Sequence, residues 1–313
     1  MSDLDNPRSE HPGPPIVIIG PTAVGKSAVA MELARQVGNA ELISADSMQV
    51  YRGMDVGTAK PTADEQTEVP HHLIDVVEPH EDFTLSQFQA AVFAALDDLA
   101  ARGQRPIIVG GTGLYVRSIV DRLEIPGQYP EARTELDAET NTRALHERLV
   151  ALDPAAAARM EPDNRRRVLR ALEVTVGSGR PFSSFGPGLD AYPETDMIQI
   201  GLDMDRGLLD ERINTRYDVQ MDEGFLDEVR RLHERPQGIS RTAAQALGYK
   251  ELLDHVTGYS TLDDALNLAR KRTRRFARRQ QRWFRRDPRI RWFEITPDTN
   301  LVQLSETILR DCH

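Results

Sequence analysis

Four consecutive apolar residues, Ile16-Val17-Ile18-Ile19, run directly into Gly20-Pro21-Thr22-Ala23-Val24-Gly25-Lys26-Ser27. The run reads as a strand buried on both faces, which is the condition of a strand in a parallel sheet. The eight residues after it match the phosphate-binding pattern G-x-x-x-x-G-K-[ST]. Ala28 through Val37 then has helical composition and closes at Gly38, a residue suited to the position just past a helix end. Strand, glycine loop and helix in that order separate a working phosphate loop from a chance match. Glycine lets backbone N–H groups curl around phosphate oxygens, Lys26 adds a point charge and the helix N-terminus favours an anion. The Ser27 hydroxyl is the natural ligand for Mg²⁺. The segment Gly20–Ser27 is therefore predicted to hold a di- or triphosphate.

Further strand–loop–helix units follow. Glu41-Leu42-Ile43-Ser44-Ala45 is a candidate strand that ends at Asp46. An amphipathic helix is expected from Ser86 to Arg102, and Pro106-Ile107-Ile108-Val109 is another buried strand leading into Gly110-Gly111-Thr112-Gly113. Met197–Leu202 is a later strand, with a helix beginning near Asp205. This alternation predicts an α/β fold, a P-loop NTPase-like parallel sheet covered by helices. Ligands on such sheets bind at the carboxyl ends of the strands. The phosphate loop, Asp46 and Gly110–Gly113 should then converge on one cleft.

The middle of the chain differs. From about Gly127 to Tyr192 the strand signal disappears, and helical segments such as Asn141–Leu152 and Asn164–Val176 replace it. The expected organisation is a core of residues 16–126 and 193–313 interrupted by a helical insertion domain at 127–192. Residues 1–15 are polar and proline-rich and read as a disordered lead-in. The one cysteine, Cys312, has no intrachain partner, so neither a disulfide framework nor a Cys-based zinc site is expected. No apolar run approaches the ~18 residues of a membrane span. A reducing cytoplasm fits, and membrane association does not.

Net charge is −10, yet between Arg270 and Arg289 stand eleven Arg or Lys residues and one acid, Asp287. The rest of the chain then carries about −20. Within the same region Leu262, Leu266, Ala269, Thr273, Phe276, Gln280 and Trp283 recur three or four residues apart, which predicts one long helix with a buried seam. A basic rib on an acidic body is the electrostatic footprint of phosphate-backbone binding, and the alternative is a face neutralised by acidic neighbours.

A phosphate-loop enzyme commonly carries a second acid for Mg²⁺ at another strand end, and Asp46 and Asp203 are the candidates. Asp46 opens the run Asp46-Ser47-Met48-Gln49-Val50-Tyr51-Arg52-Gly53-Met54-Asp55-Val56-Gly57-Thr58-Ala59-Lys60-Pro61, which has little apolar periodicity and many groups able to read a base edge. Its carboxylate suits a metal ligand, a general base toward a weakly acidic N–H or O–H, or a helix N-cap. His71, His72 and His80 read as structural, since no Cys or paired carboxylates complete a metal site. Two functions remain distinguishable on this pattern alone: an ATP-dependent phosphotransferase, which leaves the basic helix without a role, and a non-catalytic RNA binder, which leaves the phosphate loop and Asp46 without one.

The motifs in order resemble one family. The phosphate loop as G-P-T-A-x-G-K-[ST], the run Asp46–Pro61, Pro70-His71-His72-Leu73-Ile74-Asp75, Gly110-Gly111-Thr112-Gly113-Leu114-Tyr115, Arg167–Val174, Gln245–Glu251 and Arg278–Trp283 follow as in tRNA dimethylallyltransferases of the bacterial type. The resemblance spans Val17 to Trp283. It implies transfer of a dimethylallyl group from dimethylallyl diphosphate to N6 of the adenine 3′ of the anticodon, in tRNAs that read codons beginning with U. By the same resemblance Gly20–Ser27 hold the diphosphate, Ser27 takes Mg²⁺ where many relatives have Thr, Asp46 is the base, and Thr112 lines a channel from the opposite side. It further implies that the tRNA anticodon stem-loop meets Asp46, Ser47, Met48, Gln49, Thr112, Arg133, Arg166, Arg167, Arg170, Gln245, Arg278, Arg279, Gln280, Arg282 and Trp283. Some relatives carry Arg at Gln245, and Arg241 is the nearest arginine here. A cytoplasmic monomer without the C-terminal zinc finger of the eukaryotic branch is expected.

Overall fold

The computed structural model describes residues 13–311. The expected lead-in falls outside these residues as far as position 12, and so does Cys312. Pro14 and Pro15 are bonded into the structure: the Pro14 carbonyl accepts from Arg105 Nε at 3.0 Å, and the Pro15 carbonyl accepts from Ile198 N at 2.9 Å.

Six strands form one sheet: β1 (Ile16–Ile19), β2 (Ala40–Ser44), β3 (His71–His72), β4 (Arg105–Gly110), β5 (Ile198–Asp203) and β6 (Arg291–Glu294). Their spatial order is β3-β2-β4-β1-β5-β6, and every pairing is parallel. The central strand β1 is wholly buried, as a run of Ile and Val flanked by partners on both edges and covered on both faces must be. The four strands expected from apolar runs match β1, β2, β4 and β5 to within a residue or so at each end. β3 and β6 carried no such signal. β3 is two half-buried histidines, and β6 is an edge strand, Arg-Trp-Phe-Glu, with both ends exposed.

Helix Lys26–Val37 follows β1 and ends at Gly38, whose φ of +78° is the left-handed conformation that closes helices. Helix Leu85–Ala101 begins with a capping box between Thr84 and Gln87 and buries Phe88, Val92 and Leu99. The long basic helix spans Leu262–Phe284. Its most buried line is Ala265, Ala269, Thr273, Ala277, Gln280 and Phe284, so the seam is turned slightly from the one expected and is built largely of small residues. Small side chains let this helix approach its neighbours closely.

The chain divides into two compact units, one made of residues up to Val120 with those from Glu194 onward, the other of Asp121–Pro193. The segment 127–192 lies within the second. That unit contains helices Pro130–Asp137, Thr142–Leu152, Pro154–Ala157 and Arg165–Ser178 around a core of its own, including Leu136, Leu145, Leu149, Val168 and Leu172.

The ends of β2 and β4 approach so closely that only glycine fits at Gly110. A Cβ there would lie 2.4 Å from the Ala45 carbonyl oxygen. Relieving that overlap requires moving one strand end, and overpacking of this kind costs about 1–3 kcal/mol. Gly110→Ala should therefore lower the urea midpoint by that equivalent. An unchanged midpoint would mean that the two strand ends have room to separate.

Candidate active site

The phosphate loop is shaped by two glycines. Gly20 has φ +152°, and a Cβ there would meet the Leu202 carbonyl oxygen at 2.5 Å. Gly25, at φ +107°, opens helix Lys26–Val37 without any side-chain cap. Ala23 between them holds φ +68°, an uncommon conformation for a residue with a Cβ. Lys26 folds back across the loop, its Nζ donating to the carbonyls of Gly20 at 3.1 Å and Pro21 at 2.9 Å. The uncapped helix start leaves the first-turn amides directed at the space where an anion binds.

That space is a cavity of about 510 Å³. Gly25, Lys26 and Ser27 line one part of it, Asp46 and Gln49 another, and Arg212 and Arg216 from helix Arg206–Asp222 a third. Arg216 Nη1 donates to Thr22 Oγ1 at 2.9 Å, which ties this arginine to the phosphate loop. Burial pushes the Lys26 ammonium down to about 8; the Asp46 charge works against that shift and Arg216 adds to it. Burial likewise lowers Arg216, with Asp46 again opposing. The cavity thus holds enclosed cations poised for anionic oxygens, with one carboxylate in electrostatic reach of both.

Asp46 is held by its own turn: its Oδ1 accepts from Met48 N at 2.8 Å. Ser44 Oγ donates to Gln49 Oε1 at 2.7 Å, and Gln49 Nε2 donates to the carbonyls of Thr58 at 3.3 Å and Ala59 at 3.2 Å. Asp46 also raises Tyr115, a phenol pushed up to about 12, first by burial, then by Tyr51 and Asp46. Asp203, the other acid considered for a metal, is committed elsewhere: its two carboxylate oxygens accept from Gln281 at 2.7 Å and from Arg285.

Gln280 binds three segments together. Its Oε1 accepts from Thr22 N at 2.9 Å, and its Nε2 donates to the Gly111 carbonyl at 2.8 Å. Thr112, half-buried just past β4, stands beside this bridge and outside the cavity wall. Trp283 packs its ring on Gly113, where a Cβ would fall 2.3 Å from the indole. Gln245 and Arg241 are exposed and take no part in the wall, so the arginines that meet the phosphate loop's cavity are Arg212 and Arg216. Arg212 and Arg216 escaped the sequence reading. They stand one helical turn apart, a spacing too common in this chain to single them out.

The basic helix divides its charges between two faces. Arg270, Arg274 and Arg278 meet Asp218, Asn214 and Asp210 of helix Arg206–Asp222 at 2.5, 2.7 and 3.0 Å, an antiparallel ladder with a step of four residues on each side. Arg272 pairs with the buried Glu251. Lys271, Arg275, Arg279, Arg282 and Arg286 recur three or four apart, are exposed, and have no acidic partner within ion-pair distance among the described residues. In the helical unit, Arg133 and Arg170 both engage the buried Glu173, at 3.7 and 2.6 Å, whereas Arg166 and Arg167 are exposed.

The donor set suits Mg²⁺ in one way only. Among the described residues no group of three His, Cys, Asp or Glu side chains is arranged to hold a metal. Ser27 presents a hydroxyl on the cavity wall near Lys26 and Arg216, so a magnesium ion here would take few protein oxygens and rely on substrate oxygens. His71 and His72 are structural: His71 Nδ1 donates to the Val69 carbonyl and His72 Nε2 to Glu41, both at 2.7 Å. No helix among the described residues is long and apolar enough to cross a membrane.

Comparison with known proteins adds an independent line. The model of the IPP transferase family matches residues 49–287. The tRNA dimethylallyltransferase of Salinispora tropica is 45% identical over 285 residues, covering 90% of this chain and 88% of that protein. The same-named protein of Streptomyces coelicolor is 44% identical over 307 residues, covering 96% and 97%. Among solved structures, the full-length tRNA isopentenylpyrophosphate transferase of Bacillus halodurans is similar with a TM-score of 0.69 at 39% identity, over 95% of this chain and 96% of that one. A eukaryotic dimethylallyltransferase acting on tRNA reaches a TM-score of 0.81 at 28% identity, over 96% of this chain and 79% of that one.

Lys26 gives the site a pH signature. With a value of about 8, Lys26 is charged below that pH and neutral above it. An anion binds the charged form, so diphosphate affinity should fall as pH rises through 8, by up to about tenfold per unit. Titration calorimetry of a diphosphate ester between pH 7 and 9.5 checks this against Lys26→Arg, which stays charged and should lose the dependence. An equal slope in both proteins would remove Lys26 from the binding step.

Proposed function

The chain belongs to the IPP transferase family, and from that membership we propose that it is a tRNA dimethylallyltransferase. It moves the five-carbon group of dimethylallyl diphosphate to N6 of the adenine 3′ of the anticodon. The tRNAs concerned read codons beginning with U. The observation that carries this reading is the single cavity shared by the phosphate loop, Arg216 and Asp46. An anion-holding end and a carboxylate end are what a donor diphosphate and an acceptor amine require.

The chemistry follows from the residues. As the allylic carbon–oxygen bond breaks, negative charge grows on the diphosphate. The loop amides, Lys26 and Arg216 border the space where that charge grows, so stabilising it needs only that Lys26 exchange loop carbonyls for phosphate oxygens. Mg²⁺, when bound with Ser27 as its protein ligand, neutralises further charge on the leaving group. The acceptor is a weak nucleophile because the N6 lone pair is conjugated into the ring. Asp46 takes the N6 proton as the new carbon–nitrogen bond forms, and Gln49 beside it, its amide bonded to Ser44, Thr58 and Ala59, shapes the wall against which the base rests. The adenine begins stacked in its loop and has to be flipped out, at an unstacking cost of a few kcal/mol.

Holding the anticodon stem-loop is the work of the unpaired basic stripe. Lys271, Arg275, Arg279 and Arg282 lie on one face of the helix and Arg286 follows in the turn just past its end, a row suited to a run of phosphates. Arg166 and Arg167 are exposed on the helical unit and offer further contacts. Arg278 and Gln280, by contrast, serve within the protein, bonded to Asp210 and to the phosphate loop. The enzyme works as a cytoplasmic monomer on this reading.

Single-turnover transfer of labelled dimethylallyl from its diphosphate with Mg²⁺ tests the assignment. The acceptors are an anticodon stem-loop with adenine 3′ of the anticodon, the same stem-loop with guanine there, and free AMP. Label on the adenine stem-loop alone is expected. Label on AMP, or ATP hydrolysis with no transfer, would contradict it. Asp46→Ala should slow transfer by about 10²–10⁴-fold while stem-loop affinity stays within a few-fold; parallel loss of binding would end the base assignment. Reversing Arg275 and Arg279 to Glu should weaken stem-loop binding and flatten its salt dependence by about one unit of slope per lost phosphate contact. An unchanged slope would show that the stripe is not the docking surface.

A further inference from the structure

The run Asp46–Pro61 has to keep Asp46 and Gln49 in place with almost no regular structure of its own; one isolated bridge, Tyr51 to Val77, is its only sheet-like pairing. Backbone bonds join Gln49, Val50 and Arg52 to residues 75–77, Lys60 bridges Asp55 and Asp75, and the stretch Asp55–Gly57 is held by a buried carboxylate. Glu228, 2% exposed on helix Phe225–His233, accepts hydrogen bonds from three successive backbone amides of the run. Asp55 N lies 2.9 Å and Val56 N 2.8 Å from its Oε2, and Gly57 N lies 3.2 Å from its Oε1. Tyr249 completes the set, its hydroxyl donating to Oε1 at 2.5 Å. Burial first, and then the charge of Glu228, raises the Tyr249 phenol well above its ordinary range, so it remains a donor.

The surroundings leave this segment little freedom. A Cβ on Gly57 would lie 2.1 Å from the Phe225 ring and 2.5 Å from Tyr249. Gln220 Nε2 donates to the Val56 carbonyl at 2.6 Å. Immediately beyond Gly57, the carbonyls of Thr58 and Ala59 accept from Gln49, whose Oε1 accepts from Ser44. A continuous chain of bonds thus runs from Glu228 through residues 55–59 to Gln49 and the turn that carries Asp46.

We propose that Glu228 is a positioning residue for prenyl transfer: its carboxylate fixes Asp55–Gly57 and, through Thr58 and Ala59, sets Gln49 and Asp46 against the acceptor base. Its helix contributes nothing to the cavity wall, so the effect is exerted through the loop alone. The inference rests on the reading of Asp46 as the group that takes the N6 proton. An ionised carboxylate only accepts, and four donors meet it; an amide in its place would turn N–H groups toward N–H groups.

The test compares Glu228→Gln, Tyr249→Phe and Asp46→Ala with the parent enzyme. Glu228→Gln should slow single-turnover transfer to the adenine stem-loop by about tenfold to a hundredfold, the scale of a small misplacement of reacting groups. Its KM for dimethylallyl diphosphate should stay within about twofold, since the donor end is built separately. Amide hydrogen exchange at Asp55–Gly57 should accelerate by about tenfold or more while β1 and β4 amides stay protected. Tyr249→Phe, which removes one bond of the four, should give a smaller loss of the same kind and keeps the test open if the first variant does not fold. Parent-like transfer in Glu228→Gln beside an inactive Asp46→Ala would overturn the positioning role alone. Parallel loss of transfer rate, donor KM and strand protection would also overturn it, by showing general destabilisation. An active Asp46→Ala would remove the base assignment and this inference with it.

Discussion

One side chain holds the catalytic half of the molecule in register. Gln280 is buried near the C-terminal end of the basic helix, and its amide reaches the backbone of the phosphate loop with one end and that of the loop after β4 with the other. An amide is suited to this because it offers an acceptor and a donor at a fixed separation. The bond to Thr22 N takes up one amide of the phosphate loop, so the loop is pinned from outside while Gly25, Lys26 and Ser27 line the cavity. Gly111 makes the approach possible, since a Cβ there would lie 2.3 Å from the Gln280 nitrogen. The helix that meets RNA in the proposed function is thereby joined to the site that holds the donor.

The same helix shows how a strongly basic segment is divided between structure and binding. Burying arginines against the body requires partners, and the ladder of Arg270, Arg274 and Arg278 against Asp218, Asn214 and Asp210 supplies them at three successive turns. Those charges anchor the helix on Arg206–Asp222, which also carries Arg212 and Arg216 into the cavity. The opposite stripe keeps its charge for solvent or for phosphate. Of the two readings of the basic run that the sequence allowed, the neutralised face applies to Arg270, Arg274 and Arg278, and the nucleic-acid surface is proposed only for the exposed stripe.

How much was legible in advance follows from the kind of signal each part carries. Buried parallel strands announce themselves as apolar runs, and the phosphate loop has a fixed pattern, so β1, β2, β4, β5 and Gly20–Ser27 were readable. Edge strands have one paired side and no need of an apolar run, which hid β3 and β6. Arg216 could not be picked out among 39 lysines and arginines, because what distinguishes it is burial beside Thr22. Glu228 was silent for the same reason: a glutamate on an amphipathic helix reads as surface, and only the fold reveals three backbone amides waiting for it. The roles of Arg278 and Arg133 were drawn from a resemblance of motifs, which records residue type and position and not the partner each residue has.

The central claim is that one cavity brings the diphosphate and the base together, with Asp46 between them. A crystal structure with a non-reactive dimethylallyl thiodiphosphate and an anticodon stem-loop tests it most directly. The account predicts the diphosphate on the Gly20–Ser27 amides with Lys26 and Arg216, and the flipped adenine's N6 within hydrogen-bonding distance of Asp46. A stem-loop bound with that adenine still stacked, or placed away from Asp46 with the donor site filled, would contradict it.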